Sequence, residues 1–227
     1  MAIALGALAM LLVVGLVVVL TGDDSDDAPD GTSATTTTEQ TTVPTTTTAP
    51  PPTTTGPVRA AVGFGGVFEV QLPAGWGSIS VDGDMRGRGA EMFPDDPGHA
   101  EVADLIFDIL LTPQTRFVAM DGNGGPSVTE SDLLIVENGP AQVGLDAAFA
   151  AAKAATAAEP LAEGRVATPV GDAAWFDLAG PAGLRARRYV IVRDDAAWLL
   201  TYWSADAENL GAAADDVVTH LLPTAPI

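Results

Sequence analysis

The chain has no cysteine among its 227 residues. Disulfide bonds, thiolate nucleophiles and cysteine-ligated zinc sites are therefore excluded, as is the acylated cysteine that anchors a bacterial lipoprotein. Histidine is almost as scarce, since only His99 and His220 are present. Few side chains are thus left for acid–base catalysis near neutral pH.

Basic residues are also rare. The chain has 10 lysines and arginines against 30 acidic residues, and its formal net charge is -20. Lys153 is the single lysine, and no basic residue precedes Arg59. Such a charge repels phosphate groups, so we expect no binding to nucleic acid and no docking on anionic lipid head groups.

One long apolar run stands at the start of the chain. Residues 2–20 read AIALGALAMLLVVGLVVVL and contain no charged side chain. As a helix they would span about 28 Å, close to the ~30 Å hydrocarbon core of a bilayer. The run is longer than the apolar region of a signal peptide, and no small-x-small cleavage site follows it. We therefore predict an uncleaved transmembrane anchor over residues 1–21, so that the membrane is one partner of the chain.

The next segment, residues 22–57, is predicted to be a disordered linker. Its acidic start, DDSDDAPD, is followed by a tract of Thr and Pro with almost no apolar side chain. Tracts of this kind do not bury enough surface to fold, and they are typical of stalks outside the membrane. The expected location is therefore the cell membrane, with an extracytoplasmic globular domain over residues 58–225.

Hydrophobic periodicity in that domain predicts an α+β fold. Strands are predicted at residues 67–72, 79–81, 89–93, 116–120, 133–136, 173–178, 184–193 and 196–203, and helices at 97–111, 146–158 and 207–222. Asp96 and Pro97 suit the cap and first position of the first helix. Asp194 and Asp195 separate two strands that are apolar on both faces, which predicts a central hairpin in a sheet covered by helices.

Three sequence stretches carry a family resemblance. They are FEVQLPAGW at residues 68–76, VGDAAWFDL at 170–178 and LRARRYVIVRDDAAWLLTYWSA at 184–205, followed by a helix with an acidic cap. In element order and aromatic placement the chain resembles the PsbP-like domain family. That family includes photosystem accessory proteins, a nuclear Ran-binding import factor and envelope lipoproteins of high-GC Gram-positive bacteria. The resemblance implies an α/β/α sandwich around a mainly antiparallel sheet, and a binding or accessory role without catalysis.

The candidate partner-binding residues are Arg185, Arg187 and Tyr189. They alternate along one predicted strand and so share one face, where they would form a basic patch on an acidic domain. In the alternative interpretation, the arginines pair with carboxylates of the domain or lie at a sheet edge. The partner of such a patch would be an unknown envelope protein or small ligand.

No catalytic, cofactor or metal site is predicted. Glu101, Asp104 and Asp108 line one side of a predicted helix, but a solvated face explains them better than a cation site. The chain also lacks a Gly-x-Ser-x-Gly motif and a phosphate-binding glycine loop. The alternative to a non-catalytic domain is an envelope-polymer hydrolase that uses His99 or His220 with a carboxylate.

Overall fold

The computed structural model describes residues 60–64, 68–139, 144–180, 183–193 and 196–223, with side chains from residue 68 onward. The predicted anchor (1–21) and linker (22–57) lie outside the described residues, and so does the predicted domain start at residue 58. Among the helices that are described, none has both the length and the apolar character needed to cross a bilayer.

Ten strands and four helices make up the described part of the chain. The strands are β1 Ala60–Phe64, β2 Phe68–Leu72, β3 Trp76–Ser80, β4 Thr115–Asp121, β5 Leu133–Asn138, β6 Ala162–Thr168, β7 Gly171–Ala179, β8 Arg185–Arg193, β9 Ala196–Ser204 and β10 Leu222–Pro223. The helices are α1 Gly89–Met92, α2 Pro97–Leu110, α3 Leu145–Ala154 and α4 Leu210–Thr219.

The strands form two sheets in which the described neighbours are antiparallel. The large sheet has seven strands in the order β3-β4-β5-β9-β8-β7-β6, and the small sheet has the order β1-β2-β10. The hairpin of β8 and β9 pairs from Arg185 with Ser204 to Arg193 with Ala196, and it lies near the centre of the large sheet. The predicted central hairpin and the mainly antiparallel sheet are therefore confirmed.

Both faces of the large sheet are covered, because successive side chains of a strand point to opposite faces. We call one side the α2/α3 face. There α2 packs on Val118 and Ile135, and α3 packs on Phe176 and Val190. On the opposite side, the α4 face, helix α4 and the small sheet pack against the apolar side chains Phe117, Leu134, Val136, Tyr189, Ile191 and Leu200. Helices thus lie on both faces of the sheet.

The sequence explains how α2 begins and ends. The carboxylate of Asp96 accepts a hydrogen bond of 3.1 Å from the backbone N–H of His99, and Pro97 occupies the first turn. These are the expected roles of an N-cap residue and of a proline at a helix start. Pro113 follows two residues after the cap residue Leu111. The predicted helix at 97–111 is confirmed to within one residue.

One predicted strand is wrong. Residues 89–92 form the short helix α1 instead, because this segment packs closely against α2. The backbone N–H of Gly89 donates a 2.7 Å hydrogen bond to Asp104 of α2, and a Cβ at Gly89 would collide with the carbonyl oxygen of Ala100. Glycine is therefore required where the two helices meet, and the contact overrides the weak strand pattern.

Strand β6 was not predicted at all. Its sequence, AEGRVAT, is poor in the β-branched and aromatic residues that mark strands, and four of its seven residues are exposed. It forms an edge of the large sheet by pairing with β7 along seven residues. Ion pairs join it to α3, from Lys153 to Glu163 and from Arg165 to Asp146.

Candidate functional site

The three predicted binding residues lie on the α4 face of β8, as their spacing requires. Two of them are buried, since Arg187 is 8% exposed and Tyr189 is fully inaccessible to solvent. Arg185 is half-buried at the start of the strand, opposite Ser204 of β9. A basic recognition patch needs exposed side chains, so Arg187 and Tyr189 do not form the surface that the sequence predicted.

Arg187 instead belongs to an internal ion-pair network. Its Nε and Nη2 atoms donate to the two carboxylate oxygens of Asp177, at 2.7 and 2.9 Å, in the bidentate geometry that suits a guanidinium. Its Nη1 donates at 3.3 Å to Asp215 of α4. The guanidinium carbon lies 3.7 Å from the ring centre of Trp175, a cation–π contact. These contacts match the alternative in which the arginines pair with carboxylates of the domain.

Two further residues join the Arg187 network to α4: Tyr189 bonds to α4 from the sheet, and Gly211 of α4 leaves room for the network. The phenol of Tyr189 donates a 2.5 Å hydrogen bond to Asp215, which also accepts from Arg187. Burial raises the pKa of Tyr189, and the hydrogen bond to Asp215 raises it further. A Cβ at Gly211 would lie 3.2 Å from Nη1 of Arg187, so the absence of a side chain there lets α4 approach the guanidinium closely. The network therefore fastens α4 to the sheet.

The next residue, Arg188, points to the opposite face of the sheet. There it lines a cleft of about 150 Å³ together with Leu110, Thr112, Ile135, Glu137, Thr201 and Trp203. The floor is built from β5, β9 and β8, in which Ile135, Thr201 and Arg188 form one cross-strand row. The cleft lies between the part of the sheet under α2 and the part under α3.

The polar groups of this cleft are held in place but only partly paired. Arg188 Nε donates a 2.9 Å hydrogen bond to the hydroxyl of Thr201, and its Nη2 lies 4.0 Å from Glu137 Oε2. Thr112 donates a 2.9 Å hydrogen bond to the other carboxylate oxygen of Glu137. The Arg188 side chain is 22% exposed and that of Glu137 is 16% exposed. Burial lowers the pKa of Arg188.

Sequence reasoning missed this cleft, although one signal was available. Along β8 the α2/α3 face carries Ala186, Arg188, Val190 and Val192, so that Arg188 is a lone charge on an apolar strand face. A buried charge in such a setting needs a partner or a solvent-filled recess. Strand alternation therefore predicts that Arg187 and Arg188 lie on opposite faces of the sheet. It does not predict that Glu137 and Trp203 are the neighbours of Arg188.

The two histidines occupy different settings. His99 is 3% exposed, and its Nδ1 lies 2.7 Å from Asp96 Oδ2. Its Nε2 is buried without a hydrogen bond to any described residue, and the ring centre of His99 lies 5.2 Å from that of Phe93. His220 is an exposed residue at the end of α4, with its Nδ1 2.6 Å from the carbonyl oxygen of Asp216. Within the described part of the chain, no serine or threonine hydroxyl is hydrogen-bonded to either ring.

Two residues of the predicted acidic stripe on α2 have partners within the domain. Asp104 accepts from the backbone N–H of Gly89, and Asp108 lies 3.8 Å from Nε of Arg86. No group of three or more histidines and acids with metal-binding geometry occurs in the residues that are described.

Comparison with solved structures gives distant likenesses. The chain is similar to the solution structure of cyanobacterial PsbP (CyanoP) from Synechocystis sp. PCC 6803, at 10% sequence identity and a TM-score of 0.44. The match covers 78% of this chain and 98% of that one. No family model matches the chain, and no curated protein matches it. A likeness at this level does not assign the chain to a family.

Proposed function

We propose that the chain is a membrane-anchored, extracytoplasmic domain of the PsbP-like type that binds a partner or small ligand and performs no catalysis. The observation that carries the binding role is the Arg188 cleft, where a partly paired charge is kept open to solvent on an otherwise packed sheet face. The PsbP-like assignment rests on the order of the elements and on the aromatic pattern described above.

The anchor and the location follow from residues 2–20 and from the linker. An apolar run of spanning length supports insertion of the chain in a bilayer, and a Thr/Pro stalk next to it favours an exterior domain. The lining of the cleft supports the proposed non-catalytic role. The cleft is lined by neither histidine, and the imidazole of His99 has no free nitrogen open to a substrate.

Cysteine labelling tests the location, because the natural chain has no cysteine to interfere. Leu161 is 57% exposed, whereas Ala214 is fully buried, so Leu161→Cys and Ala214→Cys form a matched pair. In intact cells, a membrane-impermeant maleimide should label Leu161→Cys and leave Ala214→Cys unlabelled. The labelled protein should sediment with membranes and resist extraction with alkaline carbonate. Labelling of Leu161→Cys only after lysis would place the domain in the cytoplasm.

In-cell crosslinking tests the binding role. The natural chain should yield a reproducible set of crosslinked partners or ligands, and Arg188→Glu should lose some of them. Arg86→Glu is the control, because the Arg86 side chain is 81% exposed and lies outside the cleft. If neither the natural chain nor the control recovers a partner or ligand, the binding role is refuted.

A further inference from the structure

We propose that the Arg188 cleft is a recognition site for a neutral vicinal diol, as presented by one sugar ring. The inference deepens the proposed binding function and rests on it, because it names the chemical class of the ligand. Three observations on the cleft carry it: the pairing state of its charges, its apolar wall and its size.

The first observation is that Arg188 and Glu137 are adjacent without satisfying each other. Nη2 of Arg188 and Oε2 of Glu137 are 4.0 Å apart, beyond the ~3.2 Å limit of a hydrogen bond. Arg188 uses Nε for Thr201, and its terminal amino groups have no hydrogen-bond partner among the described residues. Those nitrogens are not among the polar atoms sealed from solvent, so they are open to the cleft.

The cleft therefore offers donors and an acceptor side by side. A guanidinium has donors only, and an ionised carboxylate has acceptors only. A hydroxyl group both donates and accepts, so two neighbouring hydroxyls can accept from Arg188 and donate to Glu137 at the same time. Thr112 already fixes one oxygen of Glu137, and Thr201 fixes the guanidinium, so both groups are held in position before a ligand arrives.

An anionic ligand fits less well. The carboxylate of Glu137 offsets the charge of Arg188 within the cleft, and the chain as a whole carries a net charge of -20. A phosphate or carboxylate would bring a second negative charge next to Glu137, which is unfavourable at such a distance. A neutral ligand avoids this repulsion and still uses both groups.

The second and third observations are the wall and the volume. Leu110, Ile135 and the indole of Trp203 supply an apolar surface beside the polar pair. A sugar ring needs both kinds of surface, because its C–H groups are apolar and its hydroxyls are not. The volume of about 150 Å³ is well below the ~300–1,000 Å³ of pockets for drug-sized ligands, which suits one ring.

The test is an NMR titration of the full chain in a detergent without a sugar head group. The reporters are the indole N–H of Trp203 and the Nε–H of Arg188. D-glucose and trans-1,2-cyclohexanediol should both shift these signals, whereas cyclohexanol, with a single hydroxyl, should not. Acetate is the anionic probe. Absence of shifts with glucose and with the diol up to high millimolar concentration would overturn the proposal.

Three variants decide whether the cleft itself is responsible. Arg188→Met should weaken glucose binding by about 10- to 100-fold, the range for loss of a hydrogen bond to a charged group. Glu137→Gln has the same shape and should weaken glucose binding several-fold, which provides a second test if Arg188→Met fails to fold. Arg86→Met changes an arginine of a neighbouring cleft and should bind glucose like the natural chain.

Two further results would refute the diol site. One is glucose binding that persists unchanged in a folded Arg188→Met variant. The other is acetate binding that exceeds glucose binding and grows stronger in Glu137→Gln, which would identify an anion site. Either result leaves the proposed location and binding role intact if the labelling and crosslinking experiments succeed, so the two proposals fail separately.

Discussion

Replacing Arg187 by methionine should destabilise the domain far more than the same change at an exposed ion pair. Methionine keeps an apolar stem of similar length but removes the guanidinium. The Arg187 side chain is 10% exposed and that of its main partner Asp177 is 17% exposed. Loss of the cation therefore leaves a carboxylate uncompensated in a poorly hydrated place, which is why breaking buried pairs costs about 3–5 kcal/mol.

Asp215, the second partner of Arg187, reduces the loss of stability in Arg187→Met. Asp215 is 42% exposed, so water can compensate its carboxylate when Arg187 is lost. The contact of the cation with Trp175 adds about 0.5–2 kcal/mol. We therefore expect Arg187→Met to cost about 3 kcal/mol of unfolding free energy. At a typical urea dependence of ~2 kcal/mol/M, the unfolding midpoint falls by about 1.5 M.

Arg165→Met is the matched control. Arg165 pairs with Asp146, and the two side chains are 58% and 84% exposed, so this pair is worth about 0–1 kcal/mol. Urea unfolding of the full chain in detergent, followed by tryptophan fluorescence, measures both variants. Equal midpoint shifts for Arg187→Met and Arg165→Met would refute the conclusion that the Arg187 network fastens α4 to the sheet.

A double-mutant cycle separates the ion pair from its surroundings. Asp177→Asn alone leaves Arg187 with one weak partner, and Arg187→Met alone leaves Asp177 without a cation. The double variant removes both charges, so neither the Asp177 carboxylate nor the Arg187 guanidinium is left without its partner. The double variant should therefore cost less than the sum of the single ones by more than ~1 kcal/mol, since residues of one network do not act additively.

Three other substitutions probe the rest of the described structure. Hydrogen bonds from the backbone and ring of His99 lower the pKa of Asp96, so this stabilisation is complete above the unfolded pKa of ~4 and is lost as pH falls through the folded pKa. Asp96→Asn should therefore flatten the acid-side fall of the melting temperature. Gly89→Ala should cost about 1–3 kcal/mol in urea unfolding, because the added Cβ meets a carbonyl group of α2. Tyr202→Phe should cost about 1.5–3 kcal/mol in the same assay, because it removes a 2.6 Å hydrogen bond to Asp132 and keeps the ring.

Elements with strong local patterns were predictable from the sequence. Helix α2 has a cap residue, a proline start and an apolar stripe, and all three are local signals. The hairpin of β8 and β9 is long, apolar on both faces and interrupted by two acidic residues, so its central position in the sheet also followed. In these segments, local preference and tertiary packing favour the same structure.

Elements that depend on distant contacts were not predictable. The segment of α1 is helical because α2 packs against Gly89, and the hydrogen bond between them joins residues 15 positions apart, outside the reach of a local pattern. Strand β6 lacks strand-forming residues and is held by its pairing with β7 and by two ion pairs to α3. In both segments the local preference is weak, so tertiary contacts decide the structure.

The dipeptide Arg187-Arg188 in the candidate site also shows that local sequence does not predict tertiary contacts. Arg187 and Arg188 are neighbours in sequence, and strand alternation places them on opposite faces of the sheet. What covers each face depends on other elements: α4 brings Asp215 to Arg187, whereas β5 brings Glu137 only to within 4.0 Å of Arg188. The first arginine is thereby paired inside the domain, and the second keeps its terminal donors open for the ligand that we propose. Substitution at position 187 should therefore alter unfolding, and substitution at position 188 should alter binding.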